Sequence, residues 1–130
     1  MGNTQYCIKK INYENIINDK NYYLINTLMM DEQDCLIKNT ISISKEESLM
    51  NELLKNKDQK RIYIYGKNTN DETIYKKYNQ ILSLGLTNLY VYPGGLFEWL
   101  LLQDIYGDDM FPTTSKEIDL LKYKPLSNIK

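Results

Sequence analysis

The chain has 130 residues, with 16 basic and 17 acidic side chains, a net charge of −1 and no histidine. That length suits one domain, and the missing histidine removes Ser-His-Asp triads, Cys-His dyads, histidine metal sites and histidine general bases. Arg61 is the one arginine, which gives no support to reading phosphates or base edges, so no nucleic-acid partner is expected.

Hydrophobic residues make up 42%, enough for a core, yet the longest apolar run falls far short of a membrane span of roughly 20 residues. The opening MGNTQYCIKK lacks the apolar stretch of a secretory signal. Tyr6 stands where a myristoylation pattern needs Ser or Thr. A cytoplasmic protein without a membrane partner is the expectation, and Cys7 and Cys35 are then expected as free thiols. Asparagine, isoleucine, lysine and tyrosine abound and alanine is absent. Those residue types follow AT-rich codons, as in the genomes of some protists and large DNA viruses.

In chain order, QYCIKKI reads as a short first strand and YENIIND as a short helix or turn. NYYLINTL gives a buried strand over residues 22–27, rich in β-formers. MDEQDCLIKN is polar and irregular, with one helical turn. TISIS, residues 40–44, alternates as a short strand. Ser44 is then expected to cap a helix, with Glu47 completing a capping box, and Leu49, Leu53 and Leu54 repeat at helical spacing. The basic run Lys55, Lys57, Lys60 and Arg61 reads as a solvated helix end whose lysines complement the dipole.

RIYIY, residues 61–65, is the next strand. The helix after it sets Ile74, Tyr78, Ile81 and Leu82 on one stripe and ends at Gly85. NLYVY is a strand, and GGLFEWLLLQDIYG is a helix closed by Gly107. FPTTSKEIDLLKYKP is expected to form a short helix, capped by Thr114 with Glu117 and stopped by Pro125.

Strand alternating with helix predicts a mostly parallel sheet covered on both faces, with right-handed crossovers. No linker divides residues 1–130, so one domain is expected. Ligand sites in such sheets lie beyond the C-terminal ends of strands. The loop Gly66, Lys67, Asn68, Thr69, Asn70, Asp71 follows such an end. Thr69 and Glu72 fit a capping box. Asp71 and Glu72 would then sit in the first helical turn, each stabilised by roughly 0.3–1 kcal/mol from the dipole. A helix that supplies its own carboxylates is a poor anion site. Lys67 offsets one charge, leaving the loop and first turn near −1. Gly66-Lys67 is followed by Asn68 and lacks the earlier glycine of a phosphate-binding loop.

The stretch LSLGLTNLYVYPGGLFEW resembles the C-terminal signature of rhodanese-like domains. There a helix ends in glycine, a strand of the type xNVYxLxGG follows, and a tryptophan comes four residues after the second glycine. Gly85, Asn88, Tyr90, Gly94, Gly95 and Trp99 match at that spacing. Upstream, NYYLINTLMMDEQDCLIKNTISI is similar to the family's LIDVRxxxEYxxGHIPGAINI. It keeps Ile37, Thr40, Ile41 and Ile43, with Asn26 where aspartate is usual and Cys35-Leu36 where Gly-His is usual. IYIYG is similar to the family's VVYC, whose cysteine opens the active-site loop. The resemblance covers about residues 6–111 and leaves about 112–130 as an extension.

It implies an α/β, three-layer fold with a central, mostly parallel five-stranded sheet flanked by helices. It also implies a mechanism in which the loop cysteine carries sulfane sulfur as a persulfide, its pKa lowered by loop amides and a basic residue. Here the cysteine position aligns with Gly66, the basic position falls at or beside Asp71, and no cysteine lies between Tyr65 and Glu72. The loop Gly66, Lys67, Asn68, Thr69, Asn70, Asp71 is therefore expected to hold no catalytic residue, cofactor or metal. The related phosphatase branch also needs cysteine and arginine in this loop, so phosphatase activity is not expected either.

The function expected from the resemblance is a non-catalytic interaction or assembly module, with a protein partner or a second copy of itself. A virion or host-interaction role would fit a viral source. One alternative is a sulfurtransferase using a relocated thiol, Cys35, flanked by Asp34 with Lys38 nearby. Another is a small-ligand sensor whose pocket prefers cations or neutral polar groups because of Asp71 and Glu72. Gly94-Gly95 is expected to be a tight turn and Trp99 a core anchor. Asn68 and Asn70 are expected to tolerate an awkward backbone, and the tyrosine hydroxyls to reach water. Ile118, Leu120, Leu121 and Tyr123 give the extension apolar surface. It is expected to pack back on the domain, with contact to a partner or a second copy as the alternative.

Overall fold

The computed structural model describes residues 8–129. Strands β1 (Tyr22–Asn26), β2 (Arg61–Tyr65) and β3 (Leu89–Tyr92) form a parallel sheet in the order β1-β2-β3. Helices α1 (Tyr13–Asn18), α2 (Ile43–Asn56), α3 (Thr73–Ser83) and α4 (Gly95–Tyr106) surround it, with 3-10 turns at Met30–Glu32 and Leu120–Tyr123. The register sets Asn26 beside Tyr65 and Tyr65 beside Tyr92, so all three strands end level.

Successive strand residues point to opposite faces, and the two faces differ in chemistry. Ile25, Ile62, Ile64, Leu89 and Val91 meet Met50 and Leu53 of α2 and Ile74, Tyr78 and Ile81 of α3. Leu24, Tyr63, Tyr65 and Tyr92 meet Ile16 of α1, Trp99 and Leu100 of α4, Phe111 and Tyr123. Burial on both faces is what a parallel sheet requires, and each fully buried aliphatic side chain contributes about 1.5–3 kcal/mol.

The tyrosine hydroxyls on the second face do not reach water as expected. Tyr63 donates to Asp19 at 2.6 Å, and Tyr92 donates to Glu98 at 2.5 Å. Tyr65 accepts from the Ile37 amide at 3.1 Å and shares a bond with the Thr40 hydroxyl at 2.8 Å. The rings can be buried because each polar tip has a partner inside the protein.

Among the described residues the sheet has three strands, where five were expected. The first predicted strand lies partly outside the described residues. Its remainder makes one bridge, in which Val91 donates to Lys9 and Ile11 donates to Val91. Asn12 then caps α1, its side chain accepting from the Glu14 amide at 2.8 Å, and that ends the extended run. Thr40 makes a second bridge with Leu24. Helix α2 begins directly after it at Ile43, with Ser42 rather than Ser44 at the N-cap. Alternation over five residues fits a two-residue bridge followed by a first helical turn as well as it fits a strand. Glu47 forms no box. Glu46 instead turns inward and pairs with Lys77 of α3 at 2.8 Å.

The segment after α4 is zipped to residues 34–37. Ile37 and Thr113 form an antiparallel bridge, and Thr114 accepts from the Leu36 amide and donates to the Asp34 carbonyl. Thr114 is thereby taken from its expected helix cap, and Glu117 pairs with Lys122 at 2.6 Å. What remains of that helix is the 3-10 turn, which buries Tyr123 and leaves Ile118 and Leu121 exposed.

Candidate functional site

Strand β2 delivers Gly66 to the level edge of the sheet, where the loop meets the first turn of α4. The Gly66 carbonyl accepts from the Leu96 amide and the Lys67 carbonyl from the Phe97 amide, both at 2.9 Å. Gly95, at φ 69°, lies against this contact. A Cβ there would come within 2.9 Å of the Asn68 nitrogen, the Gly66 oxygen and the Lys67 carbonyl carbon. Only glycine permits both that φ and that approach. Two amides that α4 could otherwise offer an anion are spent on the chain's own carbonyls.

Asp71 organises the other half of the loop. Its carboxylate accepts from the Lys67 amide at 2.8 Å, the Thr73 amide at 3.0 Å and the Thr73 hydroxyl at 2.5 Å. The expected capping box between Thr69 and Glu72 is not formed. Helix α3 starts at Thr73 with no acidic residue in its first turn, so Asp71 and Glu72 precede the helix. Asp71 precedes the N-cap residue Glu72 and bonds the Thr73 amide two residues on in an Asx turn, and the space beside Gly66 lets the carboxylate reach back across the loop. A Cβ on Gly66 would lie 2.9 Å from Asp71 Cγ and from Ile74 Cγ2.

Asn68 is buried rather than merely tolerant of an odd backbone. Its side chain accepts from the Asn70 amide and donates to the Tyr123 carbonyl, both at 2.9 Å. Thr69 and Asn70 are exposed.

Beside the loop is a cleft of about 780 Å³, walled by Thr27 to Met29, Glu32, residues 67–73 and, from the far end of the chain, Lys122, Lys124 and Leu126. Lys67 pairs with Glu32 at 2.8 Å. The Thr73 and Thr27 hydroxyls share a hydrogen bond at 2.7 Å. Lys67 and Lys124 face Glu32, Asp71 and Glu72, while Lys122 is paired with Glu117, so the cleft keeps a surplus of one negative charge, like the loop taken alone. Sequence reasoning missed Glu32, Lys122 and Lys124. The apolar Leu120, Leu121 and Tyr123 just ahead of Lys124 were the sequence signal that this segment folds back.

Asn26, standing where the resemblance expects aspartate, exchanges side-chain amide bonds with Gln33 at 3.1 and 2.8 Å. It also accepts from the Leu28 amide at 2.9 Å, which holds the 27–33 turn at the cleft wall.

Cys35 is 2% exposed and does not line the cleft. Its Sγ donates to the Ser115 carbonyl at 3.4 Å. Burial pushes the thiol up from its ordinary pKa and Glu117 adds to this, while hydrogen bonds to Ser115 and Thr113 pull the other way. Its neighbour Asp34 offers its carbonyl to Thr114 and Ser115, and Lys38 is exposed. Cys7 lies outside the described residues. Among the described residues, no three Cys, Asp or Glu side chains are grouped as a metal site, and no helix is long and apolar enough to cross a membrane.

The family model for the rhodanese-like domain matches residues 12–102. The chain belongs to that family. Two solved structures are similar in fold. One is the Alr3790 protein from Anabaena sp., 18% identical, with a TM-score of 0.58 over 86% of this chain and 97% of the other. The second is yeast Ygr203w, described as a protein tyrosine phosphatase of the rhodanese family. It is 16% identical, with a TM-score of 0.55 over 87% of this chain and 96% of the other. No curated protein matches the sequence. In this rhodanese-like domain the matched region stops short of residues 122–126, which supply one wall of the cleft.

Proposed function

We propose that this rhodanese-like domain is a non-catalytic interaction or assembly module, working through a protein partner or a second copy of itself. The observation that carries this reading is the Asp71 carboxylate, which holds the Lys67 and Thr73 amides where an active loop needs open donors. A thiolate or an oxyanion would meet a negative charge there and find those amides taken. Gly66 supplies no nucleophile, and Cys35 is buried outside the cleft with its pKa raised, the opposite of an activated thiol.

The experiment is a pair of turnover assays on the full chain, thiosulfate to cyanide and hydrolysis of a phenyl phosphate ester. Both are expected to stay at background. Sulfur transfer that disappears in Cys35→Ser would overturn the reading in favour of a relocated thiol. The interaction half is tested by capture from the native source, with Lys122→Glu/Lys124→Glu as the comparison. Loss of one defined partner with the double variant supports an interaction through the cleft, and unchanged capture moves the interface elsewhere.

A second reading, a small-ligand sensor, is favoured by the cleft itself, which keeps about 780 Å³ open beside a loop with no nucleophile. A surplus of one negative charge favours cations or neutral polar ligands. A thermal-shift screen in which only anions stabilise the protein would contradict it.

A further inference from the structure

A second cavity, of about 640 Å³, shares no lining residue with the cleft. It lies between α1 and the segment after α4, and its floor is Ile16, Ile37 and Trp99, all buried. The polar atoms nearest the floor already have partners. Trp99 Nε1 donates to the Pro112 carbonyl at 3.1 Å, and the Tyr22 hydroxyl donates to the Ile16 carbonyl at 3.1 Å. An occupant of the floor is therefore held by apolar contact and gains no hydrogen bond there. The size falls within the range of pockets that enclose small molecules, roughly 300–1,000 Å³.

The rim carries the polarity. Of its two aspartates, Asp19 is already engaged. It accepts from Arg61 at 2.8 and 3.2 Å, from Tyr63 at 2.6 Å and from the Asn21 amide at 2.9 Å. Lys20 and Lys38 are exposed at the rim and have no ion-pair partner among the described residues. Asp109 remains as counter-charge, which leaves the rim with a surplus of one positive charge. Met110, half exposed, is a flexible wall that can fit more than one apolar shape.

We propose that this cavity binds a small amphiphilic carboxylate, its apolar body against the partly exposed Ile17, Tyr22 and Met110 over the buried Ile37 and Trp99, and its carboxylate at the Lys20 and Lys38 rim. A single negative charge matches the surplus. The rim has no guanidinium fork or run of amides, so it is poorly built for phosphate.

Trp99 is the one tryptophan in the chain, so its emission reports on the floor. The full chain is titrated with octanoate, with 3-phenylpropionate and with octan-1-ol as the uncharged control. At least one carboxylate is expected to change Trp99 emission saturably, and octan-1-ol to bind about tenfold more weakly. Octanoate alone identifies an acyl chain, and 3-phenylpropionate alone identifies an aromatic acid. Lys20→Glu/Lys38→Glu, both on the surface, is expected to weaken the better carboxylate about tenfold with the unfolding midpoint unchanged. Lys122→Glu/Lys124→Glu, in the other cleft, is expected to leave carboxylate binding unchanged. The proposal is overturned if neither carboxylate saturates, if octan-1-ol binds as tightly, if the Lys20/Lys38 variant binds normally, or if the Lys122/Lys124 variant loses binding instead.

Discussion

Asp71 fills the space that any side chain on Gly66 would need, its Cγ 2.9 Å from the position of a Cβ there. The loop is therefore a self-bonded unit. Placing a thiol back at its first position is expected to disrupt it. Gly66→Cys should lose about 1–3 kcal/mol from overpacking and gain no sulfur transfer. Asp71→Ala alone should also destabilise, by leaving the Lys67 and Thr73 amides without their acceptor. Because the two side chains compete for one space, the double variant should be more stable than the two losses add up to, by about 1 kcal/mol. Urea unfolding of the four proteins measures this, and strict additivity would mean that the two positions do not share space.

Gly95 offers a separate test of how closely the loop sits on α4. Gly95→Ala combines a left-handed φ of 69° with a Cβ 2.9 Å from loop backbone, so a loss of roughly 2–4 kcal/mol is expected. Gly107 has φ 100° and ψ 159°, a conformation essentially confined to glycine, but nothing within 4 Å, so Gly107→Ala should cost about 1–3 kcal/mol from backbone strain alone. A loss at Gly95 of about 1 kcal/mol or less, no more than backbone strain, would show that the α4 contact carries no steric demand.

The buried Asn68 ties the loop to the end of the chain. Asn68→Ala leaves the Tyr123 carbonyl and the Asn70 amide without partners, a loss of about 1–3 kcal/mol. Amide hydrogen exchange should quicken over residues 116–128 while β2 stays protected. Unchanged exchange there would mean that Tyr123 is held by ring packing alone.

The bidentate contact of Arg61 with Asp19 predicts an acid dependence. Arg61 holds the Asp19 carboxyl well below its ordinary value near 3.8, with help from Tyr63 and the Asn21 amide and against some cost of burial. A carboxyl whose pKa is lower in the folded state adds stability above its unfolded pKa and loses it as pH falls through the folded one. Asp19→Asn should therefore be less stable than the unaltered protein at neutral pH, with the gap closing below about pH 4. Thermal midpoints across the acid range test this, and a gap constant with pH would assign the loss to shape instead of charge.

The sequence was legible where one physical rule acted alone. Period-two alternation placed β2, helical spacing placed the Ile74, Tyr78 and Ile81 stripe, and Gly94, Gly95 and Trp99 announced the turn into α4. It was less legible where two rules competed. Residues 40–44 alternate like a strand, yet a serine two places earlier than expected starts the helix. Thr69 makes a good cap, but Asp71 reaches one more amide through the gap that Gly66 leaves. The wall formed by Lys122, Lys124 and Leu126 depends on Asn68 meeting Tyr123, 55 positions away, and no local pattern encodes such a pairing.

Intact-protein mass spectrometry after exposure to a sulfane-sulfur donor addresses the missing chemistry most directly. The native chain is expected to gain no single-sulfur adduct that cyanide can discharge, while Cys35 should react once the protein is unfolded in urea. A native adduct formed at a thiol, removed by cyanide and formed again over repeated cycles would contradict the account.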